Sequence, residues 1–188
     1  VINKNFNKLY KKFCPGPISF VLKLKKNSLI SKNVTNKKTT IAVRFPNHPI
    51  TRNLLKNLKY PLAAPSANIS SKISPVSKND VIEEFGKKIK FILDGGQSPI
   101  GLESTILSLI KKPRILRLGG LEKNKIKKFL KIKTKLIKKS NIVVPGQGKL
   151  HYSPQIPIRL NIKWPRQNEA FILIKKRNFS DKNYFYLT

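Results

Sequence analysis

The spacing of apolar and polar residues predicts strands and helices that follow one another without strict alternation. Ile18–Leu24 and Thr40–Phe45 are rich in apolar and β-branched residues with a period near two, which predicts strands. Ile50–Leu58 has helical spacing instead, and Phe6–Phe13 is typical of the end of an amphipathic helix. That helix should stop at Pro15, because proline interrupts helical hydrogen bonding.

Shorter apolar runs predict further strands at Leu62–Ala64, Phe91–Asp94, Ser104–Leu109 and Ile115–Arg117. Ser77–Asp80 offers caps for a helix over Val81–Phe85 that Gly86 ends. A lysine-rich helix is predicted over Ile126–Ile137. Strands and helices mixed in this way indicate an α+β (mixed α/β) domain.

The pattern changes after residue 140, where Gly and Pro cluster in the stretch 141–148. We expect an α+β domain over 1–140, an extended linker over 141–157 and the start of a small α/β domain over 158–188. Strands are predicted in that last part at Ile158–Ile162, Ala170–Ile174 and Asn183–Thr188. The chain starts with Val rather than Met and ends inside a predicted strand, so we expect that it is cut at both ends.

The chain is strongly basic, with 40 Lys and Arg against 8 Asp and Glu and a net charge of +32. Such charge attracts phosphate and favours binding to nucleic acid. Lys greatly outnumbers Arg, however, whereas base-edge and bidentate phosphate recognition favour Arg. The Lys residues are also spread along the whole chain. Incidental polyanion binding is therefore expected ahead of dedicated nucleic-acid recognition.

Cysteine usage and hydropathy indicate a cytoplasmic protein without membrane contact. Cys14 is the only cysteine, which excludes a disulfide framework and fits a reducing compartment. No His lies near it in sequence, so Cys14 is interpreted as a buried or turn residue rather than a nucleophile. No apolar run approaches the ~18 residues of a membrane-spanning helix.

The segment Pro61–Pro75 is small, polar and almost uncharged within this basic chain. Its Ala, Ser and Pro residues leave backbone N–H groups and hydroxyls uncovered, as a loop needs where a ligand approaches the main chain. Its polar side chains include Ser66, Asn68 and Ser74. An ordinary surface loop has the same composition, and the segment alone does not separate the two interpretations.

Two predicted strands end in arginine, and a third begins with small hydroxyl residues. Arg44 and Arg117 stand where a guanidinium can hold a carboxylate or phosphate through two hydrogen bonds, although a surface arginine is the commoner case. Ser104 and Thr105 follow Glu103, which is one of only eight acidic residues. His48, between Asn and Pro, is either a turn residue or a base.

Several familiar chemistries are missing from the sequence. It has no Walker-type phosphate loop, no Rossmann glycine motif and no Cys/His metal cluster. With two histidines, no Ser/His/Asp triad is proposed. The remaining candidates bind anions and include no nucleophile, which suits a reaction catalysed by positioning and charge stabilisation, as adenylyl transfer is.

Taken in order, these segments resemble the threonylcarbamoyl-AMP synthase family, also called YrdC-like. The matching motifs are Phe13–Leu22 with its Pro-Gly-Pro, Val43–Pro49, Ala63–Asn68 with Ser74-Pro75, Leu93–Gly96 with Gly101–Ile106, and Ile115–Gly120. Pro145–Pro154 resembles the linker of the longer, two-domain members. The resemblance covers roughly Phe13 to Arg159.

The resemblance implies a twisted mixed sheet with flanking helices that makes threonylcarbamoyl-adenylate and pyrophosphate from L-threonine, bicarbonate and ATP, with Mg²⁺ accompanying ATP. The product would pass to the t6A transferase machinery for modification of position 37 in tRNA. The family pattern assigns threonine binding to Arg44, the main chain of Ala64, and Ser104. It assigns ATP or adenylate binding to Thr40, Ser66, Asn68, Ser74, Arg117 and Tyr152. It implies no catalytic side chain and no resident metal.

The sequence departs from the family pattern in its N-terminal part, where neither the Thr-Asp-Thr-x-Tyr-Gly strand nor the Lys-x-Arg motif for ATP phosphates is found. We therefore expect the chain to be a fragment of a two-domain synthase, truncated at both ends. Two alternatives stay open, namely a basic RNA-binding module of the same fold and an inactive fragment that lacks the ATP-phosphate motif.

Overall fold

A four-stranded mixed sheet forms the centre of the N-terminal part of the chain. The computed structural model describes residues 1–70, 72–131, 156–174 and 183–186. The strands are β1 Ile18–Lys23, β2 Thr40–Arg44, β3 Thr105–Ser108 and β4 Arg114–Arg117. Their order is β2-β1-β3-β4, and β1 runs parallel to β3 but antiparallel to β2, while β3 and β4 are antiparallel. The predicted mixed α/β fold is confirmed.

Helices precede, connect and follow these strands: α1 Lys4–Phe13, α2 Lys32–Thr35, α3 Pro49–Lys56, α4 Lys78–Phe85 followed by a 3₁₀ turn at Gly86–Lys88, and α5 Lys123–Leu130. Local sequence explains their limits. The Asn3 side chain caps α1 by accepting the Phe6 N–H at 2.9 Å. Ser77 and Asp80 form a capping box at the start of α4. The helices predicted over Phe6–Phe13, Ile50–Leu58 and Val81–Phe85 are confirmed as α1, α3 and α4.

The main core lies on one face of the sheet. Ile18, Phe20 and Leu22 of β1 point to this face and are buried. Phe6 and Leu9 of α1 and Ile126 of α5 cover them. The rings of Phe13 and Phe129, 5.4 Å apart and edge to face, join the two helices. Among the described residues, the opposite face carries a smaller apolar cluster of Val21, Ile106 and Leu116, and it therefore has room for polar side chains.

Three strand predictions are wrong. Leu62–Ala64, Phe91–Asp94 and Ile158–Ile162 are not strands in the structure. Most of their apolar side chains are exposed; Phe91, for example, is 89% exposed. Short apolar runs without a buried face are the weakest strand signal, because periodicity cannot place them.

Two helical features also differ from the sequence prediction. The polar connection over residues 25–38 contains the short helix α2. The helix predicted over Ile126–Ile137 begins earlier, at Lys123, and ends at Leu130. It ends there because Lys131 adopts a left-handed backbone conformation with φ of 53°; residues 132–137 of that prediction lie outside the described residues.

The chain divides into two compact units, Val1–Pro154 and Gln155–Thr188. In the second unit, β5 Phe171–Leu173 pairs in parallel with β6 Tyr184–Tyr186, which confirms the two predicted strands there. Arg159 Nε donates to Glu169 at 2.9 Å, and this bond lowers the pKa of Glu169 to about 2. Most of the predicted linker over 141–157 lies outside the described residues, so the domain limits stay a prediction.

Candidate functional site

Four polar residues lie together on the sheet face opposite α1 and α5, and we call them the serine–arginine cluster: Arg44, Ser19, Ser104 and Arg117. The register produces this arrangement, because Ser19 pairs with Arg44 on one side and with Ile106 on the other. Ile106 in turn pairs with Arg117. Ser104 lies two residues before Ile106, and alternate residues of a strand share a face.

Two buried hydroxyl groups form the centre of this cluster. Ser19 Oγ and Ser104 Oγ are 2.7 Å apart and hydrogen-bonded. The two residues are 8% and 4% exposed. Ser19 was not among the residues predicted from sequence. The available signal was a single polar residue inside the otherwise apolar run of β1, in a strand whose other residues before Lys23 are apolar and buried.

Arg117 is held against Ser104 through the backbone. Its Nη2 donates to the Ser104 carbonyl oxygen at 2.9 Å and its Nε donates to the same oxygen at 3.3 Å. Nη2 is also 3.5 Å from Ser104 Oγ. The register shifts between Ile106 and Leu107, so that Leu116 is an extra residue on β4. A bulge of this kind turns the strand and redirects the next side chain, here that of Arg117.

Gly119 allows the chain after β4 to pass directly against Ser104. A Cβ at Gly119 would lie 2.2 Å from the Glu103 carbonyl oxygen and 2.6 Å from the Ser104 carbonyl carbon. Gly120 N–H donates to the Glu103 carbonyl oxygen at 2.8 Å. The first glycine of the predicted Gly-Gly pair is therefore required by backbone packing beside the cluster.

The scarce acidic residues hold the loops around the cluster. We call Pro61–Pro75 the Ser-Ala-Asn loop. Ser74 at its end donates its hydroxyl hydrogen to the Glu103 carboxylate. Glu84 of α4 accepts the Ile69 N–H at 2.9 Å and the Lys72 ammonium at 3.1 Å. These bonds lower the pKa of Glu84, chiefly through the Ile69 N–H.

Two further carboxylates act in the same way. Asp80 accepts the Val76 and Ser77 N–H groups at 2.8 and 3.0 Å, and the Val76 bond is the main cause of its lowered pKa. Asp94 pairs with Lys78 at 2.7 Å and accepts the Gly96 N–H at 3.0 Å. The Lys78 bond is the main reason that the pKa of Asp94 is lowered. These acidic residues thus hold the loops in place.

His48 links the turn after β2 to the glycine loop. Its Nε2 is hydrogen-bonded to the Gly95 carbonyl oxygen at 3.0 Å. A Cβ at Gly95 would lie 3.0 Å from His48 Cε1, so the glycine gives the ring its space. The turn interpretation of His48 fits this contact, since its ring contacts backbone.

The structure brings together some of the predicted site residues and separates others. Arg44 and Ser104 lie in the cluster with Arg117, and Ser74 contacts Glu103 next to it. Thr40 is at the opposite end of β2 from Arg44, about 13 Å away along the strand. It pairs with Lys23 there.

The remaining predicted residues are in the Ser-Ala-Asn loop or beyond the described residues. Ala64 and Ser66 are exposed in a stretch without regular structure. Asn68 Nδ2 donates to the Ile69 and Lys72 carbonyl oxygens, both at 3.0 Å, which shapes the turn. Its Oδ1 is buried and has no hydrogen-bond partner. Tyr152 lies outside the described residues.

Within the described part of the chain, no three His, Cys, Asp or Glu side chains are grouped so that they could hold a metal ion. Over the same residues, no helix combines the length and the hydropathy needed to cross a membrane.

The family that the chain matches and the known proteins that it resembles agree with one another. The Sua5/YciO/YrdC family, described as "Telomere recombination", matches residues 1–119. Threonylcarbamoyl-AMP synthase of Pyrococcus abyssi is 39% identical over 164 residues, which are 84% of this chain and 47% of that protein. The enzyme of the same name from Schizosaccharomyces pombe is 35% identical over 189 residues, or 94% of this chain and 46% of that protein.

A solved structure shows the same fold with a ligand. The crystal structure of P. abyssi Sua5 complexed with L-threonine aligns with a TM-score of 0.66 and 41% identity, over 69% of this chain and 38% of that chain. The present chain spans just under half the length of the two synthases that it matches.

Proposed function

Because the chain belongs to the Sua5/YciO/YrdC family, we propose that it acts as an L-threonylcarbamoyladenylate synthase. The substrates would be L-threonine, bicarbonate and ATP, and the products threonylcarbamoyl-AMP and pyrophosphate. Two relatives bear the name of this enzyme, and a related structure holds L-threonine. The observation that carries the proposal is the serine–arginine cluster, because it combines two guanidinium groups with a buried pair of hydroxyls at one place on the sheet.

The cluster suits the threonine carboxylate. Arg44 is exposed at the end of β2 and opposite Ser19, so its guanidinium is free to meet a ligand above this face. Ser104 offers a hydroxyl hydrogen at the cluster. The main chain of Ala64 is proposed as a further contact from the resemblance alone. A carboxylate held by a guanidinium and a hydroxyl is bound by charge-assisted hydrogen bonds, which are stronger than neutral ones.

The nucleotide would extend along the Ser-Ala-Asn loop and toward Arg117. Ser66, Asn68 and Ser74 supply polar groups in this loop, and Mg²⁺ would enter as the companion of the ATP phosphates. Thr40 and Tyr152 are proposed as further contacts from the resemblance alone. Arg117, which is held beside Ser104, would stabilise the negative charge that develops at the α-phosphate of ATP during adenylyl transfer.

The proposed reaction needs positioning more than a protein nucleophile. The amine of threonine would combine with bicarbonate to give a carbamate and water. A carbamate oxygen would then attack the α-phosphorus of ATP, and the bond from that phosphorus to pyrophosphate would break. Holding the carbamate and the phosphate in line removes much of the entropic barrier, and fixed arginines stabilise the charge that builds up. The adenylate would then serve the transferase machinery that modifies tRNA, and we propose a cytoplasmic site for this work.

The direct test is ATP–pyrophosphate exchange that depends on both L-threonine and bicarbonate. We expect exchange with the wild-type chain and a loss of at least tenfold with Arg44→Ala. Arg52→Ala is the matched control, since Arg52 is an exposed arginine on α3 outside the cluster. Exchange that is absent in the wild type, or that ignores threonine, contradicts the proposal.

A second candidate function is binding to RNA, and the distribution of charge favours it. None of the first 79 residues is Asp or Glu. Exposed lysines on α1 and α5, which the Phe13–Phe129 contact joins, form a surface that we call the lysine face: Lys4, Lys8, Lys11, Lys12, Lys125 and Lys128. This face lies across the sheet from the serine–arginine cluster, so a tRNA bound there would leave the cluster open.

Salt dependence of tRNA binding tests this second function. Replacing Lys4, Lys8, Lys12 and Lys128 with Gln should weaken tRNA binding and lower the salt slope by about 3, because each of the four lost phosphate contacts removes roughly 0.7–0.9 of a released counterion. The control changes Lys25, Lys26, Lys37 and Lys38, which are equally exposed on the β1–β2 connection. Equal losses in both variants would mean diffuse attraction rather than a specific face.

A further inference from the structure

Ser19 occupies the centre of the serine–arginine cluster without a role in the proposed reaction. It lies between Arg44, its register partner on β2, and Ser104, whose hydroxyl is 2.7 Å from its own. At 8% exposure it is too deep to be an ordinary surface serine. A buried hydroxyl on an otherwise apolar strand needs a hydrogen-bond partner, and Ser104 is that partner.

The number of donors and acceptors determines what this pair can do. A serine hydroxyl has one hydrogen to donate and two lone pairs that accept. Arg117 only donates, so its Nη2, 3.5 Å from Ser104 Oγ, can approach only a lone pair there. If Ser19 also donates to Ser104, both lone pairs of Ser104 face donors and its single hydrogen points away, toward a ligand.

We propose that Ser19 is a positioning residue that makes Ser104 a hydrogen-bond donor to the ligand carboxylate. An anion next to Ser104 favours the arrangement in which Ser19 donates to Ser104 and Ser104 donates to the anion. Hydrogen bonds in such a chain strengthen one another. The inference deepens the proposed function and rests on it, because the carboxylate is that of L-threonine.

Binding of L-threonine to the full chain, measured by titration calorimetry, tests the inference. Ser19→Ala should raise the Kd for threonine about 3- to 10-fold, the effect of one lost hydrogen bond. The Kd for ATP should change less than about 2-fold. Ser19→Thr keeps a hydroxyl and a residue that strands favour, so it should restore most of the threonine affinity. Ser19→Cys keeps the size but donates weakly, and it should behave like the alanine variant.

Ser108→Ala is the matched control. Ser108 is 4% exposed and on the same face, where it pairs with Val21 rather than with the cluster. A packing defect would affect both serine-to-alanine variants alike, whereas the inferred role predicts normal threonine binding for Ser108→Ala. In a Ser104→Ala background, Ser19→Ala should add no further loss, since the group it positions is gone.

Failure of this inference can be distinguished from failure of the proposed function. Wild-type protein that binds threonine while Ser19→Ala and Ser19→Cys bind it equally well overturns the inference and leaves the proposed function intact. The same holds if Ser108→Ala loses as much affinity as Ser19→Ala. Wild-type protein that binds no threonine contradicts the proposed function, and the inference falls with it. Should Ser19→Ala fail to fold, the size-matched cysteine variant decides between these outcomes.

Discussion

The carboxylate of Glu84 accepts the backbone N–H of Ile69 at 2.9 Å, which fixes the Ser-Ala-Asn loop to helix α4. The Lys72 ammonium donates a second hydrogen bond to the same carboxylate. The described residues of the loop, 61–70 and 72–75, have no regular secondary structure. Its conformation therefore depends on a few side-chain contacts, and single substitutions can release it.

Glu84→Gln should loosen this loop while α4 stays folded. The amide oxygen still accepts the Ile69 N–H, but the charge that strengthens both hydrogen bonds is lost. We expect several-fold faster amide hydrogen exchange at Ile69, measured by NMR. Glu83→Gln, a neighbouring exposed carboxylate on α4, is the control. Unchanged exchange at Ile69 in Glu84→Gln would contradict this view of the loop.

Low pH should release the loops together, because the pKa values of the carboxylates that hold them are all lowered. Asp80 and Asp94 have pKa values below the ordinary 3.8, and Glu84 below 4.5. A lowered pKa in the folded state means that the stabilisation is complete above about pH 5 and is lost as pH falls through the folded-state values. These carboxylates therefore stabilise the fold only while they are ionised.

The measurement is an NMR titration of the amides that these carboxylates bind. The Ile69, Val76 and Gly96 N–H shifts should change with midpoints below the ordinary carboxyl values. Asp80→Asn should remove the transition at Val76 and leave that at Gly96, which distinguishes local release from global unfolding. Midpoints at or above the ordinary values would show that the hydrogen bonds are absent in solution.

Gly119→Ala should be far more damaging than the same change one residue later. At Gly119 the new Cβ meets only backbone, 2.2–2.7 Å away, and backbone cannot move aside. At Gly120 it meets the side chains of Pro17 and Ile100 at 3.0–3.2 Å, which can shift. We expect losses of unfolding free energy near the upper end of roughly 1–3 kcal/mol for Gly119→Ala and about 1 kcal/mol for Gly120→Ala. Urea unfolding compares them, and equal losses would contradict the close packing.

Cys14 should be unreactive in the folded protein. Partial burial raises the pKa of its thiol from 9.0 to about 11, so little thiolate is present at pH 8. Alkylation by iodoacetamide at pH 8 should be about 100-fold slower than in the urea-unfolded chain. A native rate equal to the unfolded rate would place the thiol in water and reopen a chemical role for it.

Local sequence predicted the elements that carry a clear periodic or capping signal. β1 and β2 were found because apolar residues recur along them, and α4 because Ser77 and Asp80 form a recognisable cap. Leu62–Ala64 and Phe91–Asp94 were mistaken for strands, because an apolar run does not tell whether another layer covers it. The pattern of such a short run does not show whether its side chains are covered in the folded protein.

The site shows the same limit. Arg44, Ser104 and Arg117 were identifiable as residues at strand ends, and a family motif assigned them roles. Ser19 stood out only as a polar residue in the apolar run of β1, and its role was not identifiable, because that role depends on which residue of β1 faces Ser104. The two are 85 positions apart in sequence, and only the parallel register of β1 and β3 brings them together. Contacts of this kind are set by sheet pairing rather than by local sequence.

We expect the carboxylate of L-threonine to bind at the serine–arginine cluster. Titration of the isotope-labelled chain with L-threonine, followed by amide chemical shifts, tests it most directly. We predict saturable shifts centred on Arg44, Ser19 and Ser104, which disappear in Arg44→Ala and persist in Arg52→Ala. No saturable shifts, or shifts centred away from this sheet face, would contradict the account.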